Sequence, residues 1–366
     1  MSLSRRNLFQ DKTRLALSVG GVALAVMLIL VLNGFLDGLN RQITLYLDRS
    51  PGSIIVAQDG VNNLLGATSL LPSGIEYKVD SLRGVEDVAP ILSQFVILDL
   101  HDKKQPAYLV GYEPGKGGGP WEISSGRQPK RDREVVFDRI LAGRHRMRIG
   151  DTFELMGKDF TIVGLSNGTT SWMTSFFFMR KKAAEDLFSA PQATSFLLVT
   201  LYKVVETGEV LNRLNDLSGV NALTKKEMAI NDLKLFADIF SAPLKLMVGI
   251  AFLVGTMIVG MVIYTATVER QREYGVLKAI GAANRVLYQV VTVQALLAAL
   301  AGAVIGVVMA YGVSQGIMAA RPQFLIVFDP SDVEKALLAG LGMALVAALF
   351  PARVVAGLAP AEVFRR

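Results

Sequence analysis

Glu269, Arg270, Arg272, Glu273 and Lys278 crowd into one short run, Val268-Glu-Arg-Gln-Arg-Glu-Tyr-Gly-Val-Leu-Lys-Ala-Ile-Gly-Ala282. Carboxylates interleaved with guanidinium groups on a helix-forming stretch suit charge-assisted contacts with a protein partner. No histidine, serine or cysteine stands among them. The remaining chemistry-bearing residues are sparse. The absence of cysteine excludes disulfides, thiolate metal sites and cysteine nucleophiles. The two histidines, His101 and His145, lack a carboxylate–histidine helix pattern, and neither is expected to bind metal or move a proton in catalysis. Gly111-Tyr-Glu-Pro-Gly115-Lys116-Gly117 is glycine-rich, but it lacks Walker A spacing and has Gly117 where a magnesium-binding Ser or Thr should stand. It reads as a mobile loop. No nucleophile elbow or serine–histidine–carboxylate set is present, so the chain is not expected to be an enzyme by itself and binds no cofactor or metal of its own.

The elements that hold the charged run are membrane spans. Leu246 to Ala266 is 21 residues without a charge, and Val286 to Ala320 is 35. Apolar runs of about 18 residues or more read as membrane helices. A third run, Leu15 to Leu36, has 22 uncharged residues behind Arg5, Arg6, Lys12 and Arg14. It is too long for a signal-peptide core and ends without a small-residue cleavage site, so it reads as a retained span. Ala336 to Ala352 is the fourth, with Arg353 able to snorkel to the interface. The bulk numbers agree: mean hydropathy is +0.40, 51% of residues are hydrophobic and 19% are charged. A net charge of +6 concentrated beside spans does not indicate a nucleic-acid partner.

The expected organisation is a tail over 1–14, span 15–36, a stalk helix over 37–49, and an exterior core domain over 50–224. A returning stalk helix over 225–243 leads to span 244–267, and a cytoplasmic loop or helix covers 268–285. Span 286–317, a short exterior loop over 318–335, span 336–353 and a tail over 354–366 complete it. Leu39, Ile43 and Tyr46 on the first stalk helix, and Leu233, Phe236 and Phe240 on the second, fall on helical spacing and are expected to pack together. Gly302 and Gly306 form a small-xxx-small pattern for close approach of another helix, including a dimer face. The exterior segment predicts strands at Ser53–Ala57, Phe95–Leu100, Tyr108–Gly111, Glu134–Phe137, Thr152–Leu155, Phe160–Leu165 and Phe196–Leu201, and helices at Lys181–Phe188 and Val205–Leu217. The fold class is therefore an α-helical membrane protein of four spans with a large α/β (α+β) domain between the first two. Trp172–Met179 reads as a core strand, the alternative being an exposed tip that touches cargo or a partner, and the arginines between Lys130 and Arg148 as a solvated face, the alternative being a surface that meets anionic lipid or a polyanionic cargo.

Orientation follows from charge. The loop 268–285 carries four basic and two acidic residues, the N-terminal tail four and one, and the loop 321–335 two and three. The positive-inside rule puts both termini and the central loop in the cytoplasm. No span holds a charged residue between its ends, which argues against an ion-coupled transporter.

The run Glu269-Arg-Gln-Arg-Glu-Tyr-Gly-Val-Leu-Lys-Ala-Ile-Gly-Ala282 resembles the signature of the MacB/FtsX-type (type VII) ABC transporter permeases. Phe350-Pro-Ala-Arg353 followed by Pro360-Ala-Glu362 is similar to that family's C-terminal pattern, and Glu134–Phe137, Leu141-Ala142, Ile149–Asp151 and Phe160–Gly164 resemble its periplasmic core domain. Gln294 departs from the glutamate that many relatives carry early in the third span. The resemblance implies a stand-alone permease subunit in a bacterial cytoplasmic membrane. Its expected partners are two copies of a separate ABC ATPase, which would bring ATP and Mg, a second permease copy forming a homodimer or heterodimer, and in some assemblies a periplasmic adaptor. Glu269, Arg270, Arg272, Glu273, Gly275, Leu277, Lys278, Ala279, Gly281 and Ala282 would then form the ATPase-coupling segment. Implied is mechanotransmission that exports or extracts a lipoprotein, peptide or glycolipid; the alternative is an FtsX-like signalling scaffold that activates an exterior cell-wall enzyme.

Overall fold

A computed structural model describes residues 12–101, 103–171, 174–269 and 271–357. Four of its helices are long and apolar enough to cross a membrane: Leu15–Arg49, Ile239–Glu269, Asn284–Ala320 and Pro330–Arg353. A large mixed α/β unit lies between the first and second in the chain. The chain divides into two units, Met1–Gly38 with Phe240–Arg366, and Leu39–Ile239.

In the first unit, α1 (Lys12–Arg49), α6 (Lys225–Glu269), α8 (Asn284–Ala320) and α9 (Pro330–Gly357) contribute the apolar spans. Their shared core is built largely from small side chains, among them Val22, Val26, Ala251, Ala295, Ala299, Ala303, Ala344 and Ala347. Larger residues such as Leu253, Met257, Met261, Val308 and Leu349 point outward. That inversion suits a bundle whose solvent is hydrocarbon, where tight contact between helices replaces the hydrophobic effect. The segment between α8 and α9 lies against α1: Val327 N donates to Gly34 O at 3.0 Å, and a Cβ built on Gly38 would fall 1.7 Å from Leu325 O.

In the second unit, ten strands form one mixed sheet in the order β10-β1-β9-β2-β3-β8-β5-β7-β4, with β6 beside β7. The strands are β1 (Ile54–Gln58), β2 (Val85–Leu100), β3 (Lys103–Tyr112), β4 (Ile123–Gly126), β5 (Glu134–Asp138), β6 (Thr152–Leu155), β7 (Lys158–Ser166), β8 (Ser175–Arg180), β9 (Phe196–Leu201) and β10 (Val220–Thr224). Helices α2 (Ile75–Asp80), α3 (Arg139–Arg144), α4 (Lys181–Phe188) and α5 (Thr207–Asn215) separate them.

The long strand β2 is the axis of this unit. Its first half pairs with β9 and its second half with β3, and Ile91 stands at the hand-over, opposite both Phe196 and Tyr112. One apolar core gathers around Val88, Leu197 and Val210, and another around Leu109, Phe137 and Phe177. The sequence places the start of this strand at Phe95, ten residues late. Pro90 is the reason: proline normally confines a strand to an edge or a start, yet here it sits inside β2 opposite Leu197. Strands β4 and β10 and helices α2 and α3 have no counterpart among the elements expected from the sequence. Strand β3 begins five residues before the expected Tyr108; the other expected strands and both expected helices are present with shifts of one or two residues, and Thr152–Leu155, Lys181–Phe188 and Phe196–Leu201 match to the residue.

Candidate functional site

The charged run between the second and third spans is a helix rather than a loop. Helix α7 covers Gln271–Ala279, and Arg270 lies outside the described residues. Its C-terminal end closes with Ile280 N donating to Val276 O at 3.1 Å and Gly281 N to Lys278 O at 3.0 Å. Gly281 has φ 94°, a left-handed conformation that glycine adopts without a steric penalty, and α8 begins three residues later. Gly275, by contrast, is buried inside α7.

The helix has two unlike sides. Tyr274 is 3% exposed and belongs to the bundle core with Leu287 and Val291. On the other side Glu273 is exposed, Val276 is 46% exposed and Ile280, just past the helix end, is 75% exposed. Positions 273, 276 and 280 follow the i, i+3, i+7 spacing of one helical face. Arg272, Ala279 and Gly281 are exposed as well, Lys278 and Ala282 are half-buried, and Glu269 ends α6. The Leu277 side chain lies outside the described residues. An anchored helix displaying apolar and charged groups can be held by a partner.

Gly302 and Gly306 face α1 of the same chain. A Cβ on Gly302 would come within 2.6 Å of Val19 O, and one on Gly306 within 2.6 Å of Ala23 O. The expected dimer face is therefore filled within the chain, because glycine lets the α1 backbone approach.

The stalk residues divide. Tyr46 reaches the sheet: its hydroxyl donates to Gly118 O at 2.7 Å and its ring stacks on Phe176 with centroids 5.5 Å apart. A buried phenol needs an acceptor, and the glycine-rich loop supplies it. Leu39, Ile43 and Phe236 do converge, around an apolar cavity that Leu65, Phe95 and Pro106 also line. Leu233 is half-buried on α6, and Phe240 falls in the other unit. Sequence reasoning missed Asp232, one position before Leu233 and fully buried, whose carboxylate Oδ1 accepts from Leu64 N and Leu65 N at 3.0 Å. A lone charge on the apolar face of a helical pattern was the available signal.

The remaining polar candidates resolve into structural roles. Lys116 of the glycine-rich loop meets the carboxylates of Glu76 and Glu113 at 3.3 Å, which occupies the ammonium that a phosphate would require. His101 sits in a turn with φ 54°, and His145 lies 3.4 Å from Gln105 Oε1. Burial, then the Arg144 charge, push the His145 pKa below the ordinary imidazole value. Arg139, Arg144, Arg146 and Arg148 are all exposed. Of the apolar stretch Trp172–Met179, Trp172 and Met173 lie outside the described residues, while Phe176, Phe177 and Phe178 are fully buried in β8. Asp138 is a satisfied node, accepting from Leu141 N, Thr169 Oγ1 and Thr170 Oγ1 at 2.8 Å. In the first unit, carboxylate oxygens of Asp37, Asp329 and Asp332 lie within 4.8 Å of one another, with Lys335 Nζ 3.2 Å from Asp332.

Two family models match the chain: "MacB-like periplasmic core domain" over residues 15–217 and "FtsX-like permease C-terminal" over residues 245–360. An uncharacterised ABC transporter permease of Mycobacterium tuberculosis is 26% identical over 83% of this chain and 83% of its own. A putative hemin transport system permease protein of Staphylococcus haemolyticus is 23% identical over 78% of this chain and 76% of its own. Among solved structures, the periplasmic region of MacB from Actinobacillus actinomycetemcomitans aligns with 49% of this chain and 92% of its own, at 13% identity and a TM-score of 0.37.

Proposed function

The chain belongs to the MacB/FtsX-type ABC transporter permeases, and from that premise we propose that it carries the motion of a separate ATPase across the cytoplasmic membrane to its exterior domain. The observation that carries the reading is the two-sidedness of α7. Tyr274 fixes the helix to the bundle core, while Val276 and Ile280 stand exposed beside Glu273. Exposed apolar side chains in a charged setting are the composition of a docking surface. A helix clamped on one side and gripped on the other moves the spans that flank it, α6 and α8, when the partner changes state. Such coupling needs a partner that contacts the two states differently, and a closing pair of ATPase subunits provides that difference.

In this proposal two ATPase copies bind two permease chains, both termini and α7 face the cytoplasm, and the exterior unit receives the movement. The charge asymmetry of the loops supports the orientation. The cargo class is a lipoprotein, peptide or glycolipid that already lies outside the membrane. The test compares wild-type complex with Ile280→Glu, reading vanadate-sensitive ATP hydrolysis and the amount of ATPase retained on the tagged permease under mild extraction. Loss of both in the variant is expected. An ATPase that co-purifies and is stimulated equally by both forms rejects α7 as the point of coupling.

A further inference from the structure

We infer that Asp37, Asp329 and Asp332 form a binding site for a divalent cation, with calcium the best fit, inside the first unit. The three come from opposite ends of the sequence: Asp37 from the body of α1, Asp329 from the position before α9, and Asp332 from the first turn of α9. One carboxylate oxygen of each lies within 4.8 Å of the other two. Calcium takes oxygen ligands at about 2.3–2.6 Å, so oxygens on opposite sides of one ion stand up to about 5 Å apart. Magnesium demands stricter geometry and keeps several waters, which a set of three protein carboxylates serves less well. None of the three is an exposed surface acid: Asp37 and Asp329 are half-buried, and Asp332 is 7% exposed.

The second observation is the state of the Asp332 carboxylate. Its Oδ1 meets Lys335 Nζ at 3.2 Å, while its Oδ2 is buried without a hydrogen-bond partner among the described residues. A buried carboxylate oxygen without a donor is costly, and a cation held among the three carboxylates supplies the missing charge. Such an ion needs no water-sized void, because its ligand oxygens touch it directly. A ligand atom sealed from solvent is therefore compatible with the site, and the half-buried Asp37 and Asp329 give the ion its approach.

Protein groups account for part of this charge and leave the rest. The start of α9 favours acids through its first N–H groups, and Asp332 N donates to Asp329 O at 2.9 Å. That explains Asp329 and Asp332 but not Asp37, which stands well inside α1, away from any helix end. The Lys335 side chain is 68% exposed, and one solvated ammonium does not balance three carboxylates. The acids are nevertheless held together by the backbone around them. Val327 N donates to Gly34 O at 3.0 Å, the Phe324 and Phe35 rings meet edge-on with centroids 5.7 Å apart, and a Cβ on Gly38 would fall 1.7 Å from Leu325 O. The segment that leads to Asp329 is thus fixed to α1 on both sides of Asp37. Carboxylates fixed together repel when ionised, and a divalent ion turns that repulsion into attraction. The inference does not depend on coupling to an ATPase, because binding needs no ATP.

The test uses the full chain in a non-ionic detergent, stripped with EDTA and then dialysed free of it. Calcium titrated by calorimetry at neutral pH should bind saturably, at one ion per chain. At about ten times its dissociation constant it should raise the unfolding temperature by about 3 °C, and potassium at matched ionic strength should not. Asp37→Asn removes one charged ligand at nearly unchanged shape and should weaken calcium binding about tenfold or more. Asp332→Asn keeps an oxygen acceptor for Lys335, should weaken binding likewise, and serves if Asp37→Asn misfolds. Calcium binding that both variants retain in full overturns the inference, as does equal stabilisation by potassium. The competing occupant is a proton shared by two of the carboxylates. It would leave calcium unbound from mildly acid to mildly alkaline pH, and that result also overturns the site.

Discussion

The carboxylate of Asp232 accepts the backbone N–H of Leu65 at 3.0 Å, and a second bond of the same length comes from Leu64. Both bonds fall on Oδ1; Oδ2 is buried without a partner among the described residues. Burial raises the Asp232 pKa from 3.8 to about 6, and the two backbone bonds only partly oppose it. The native state therefore binds a proton more tightly than the unfolded chain, so stability is greatest below the unfolded value and falls as pH rises through about 6. The cost of the charged form at neutral pH is about 3 kcal/mol. Asp232→Asn keeps the Oδ1 acceptor and removes the charge. It should abolish this pH slope and unfold no earlier than wild type above pH 6, as read from thermal unfolding across a pH series. Asp232→Ala strands two buried N–H groups at about 1–3 kcal/mol each and should unfold earlier at every pH.

Glu134 imposes the opposite slope in a lower window. The Arg127 guanidinium, bonded to both of its oxygens at 2.7 Å, and then the Lys130 and Arg131 backbone N–H groups, hold its pKa down from 4.5 to about 2. Its contribution is complete above the unfolded value and is lost as pH falls toward 2. Arg127→Ala should move this acid loss upward by about one pH unit or more. Acid unfolding followed by near-UV circular dichroism checks it, and an unchanged acid limb would show that the backbone donors alone hold the carboxylate.

The seam between α1 and α8 predicts a stability effect inside one chain. A leucine at Gly306 must displace Ala23 O and the Val26 side chain, both under 3.0 Å from the new Cβ. Backbone oxygen cannot rotate away as a side-chain end can, so Gly306→Leu should destabilise the bundle by about 1–3 kcal/mol or more. The expected reading is a lower unfolding temperature with an unchanged dimer fraction at equal protein concentration. A normal unfolding temperature with loss of dimer would place the glycine seam between copies instead.

What the sequence discloses here depends on how local its cause is. The four spans were legible because lack of charge over a bilayer's thickness is a property of contiguous residues, and α4 because its apolar spacing is regular. The partner of the Tyr46 hydroxyl was not legible because helical spacing shows that a residue is buried without showing what buries it; the acceptor, Gly118, is 72 residues away. The same limit concealed Asp232, whose partners lie on the segment before α2. The two-sidedness of α7 was half visible: its charges stood out, but the exposure of Val276 and Ile280 depends on which side Tyr274 anchors.

Gly281 separates two ways of disabling the coupling segment. Its φ of 94° disfavours any residue with a Cβ, although an added Cβ would meet no atom within 4 Å. Gly281→Ala therefore strains the turn between α7 and α8 by about 1–3 kcal/mol without altering the exposed face that Val276 and Ile280 present. If that face is what the ATPase grips, the alanine variant should retain the ATPase on purification. Its stimulation of hydrolysis should fall, because a loosened turn passes less of the motion to α8. Ile280→Glu should instead lose the ATPase itself. The measurement is the ratio of stimulated hydrolysis to co-purified ATPase for each variant, taken at equal permease concentration. An alanine variant that matches wild type in that ratio would show that the turn is not part of the transmission, and the motion would then have to enter through α6.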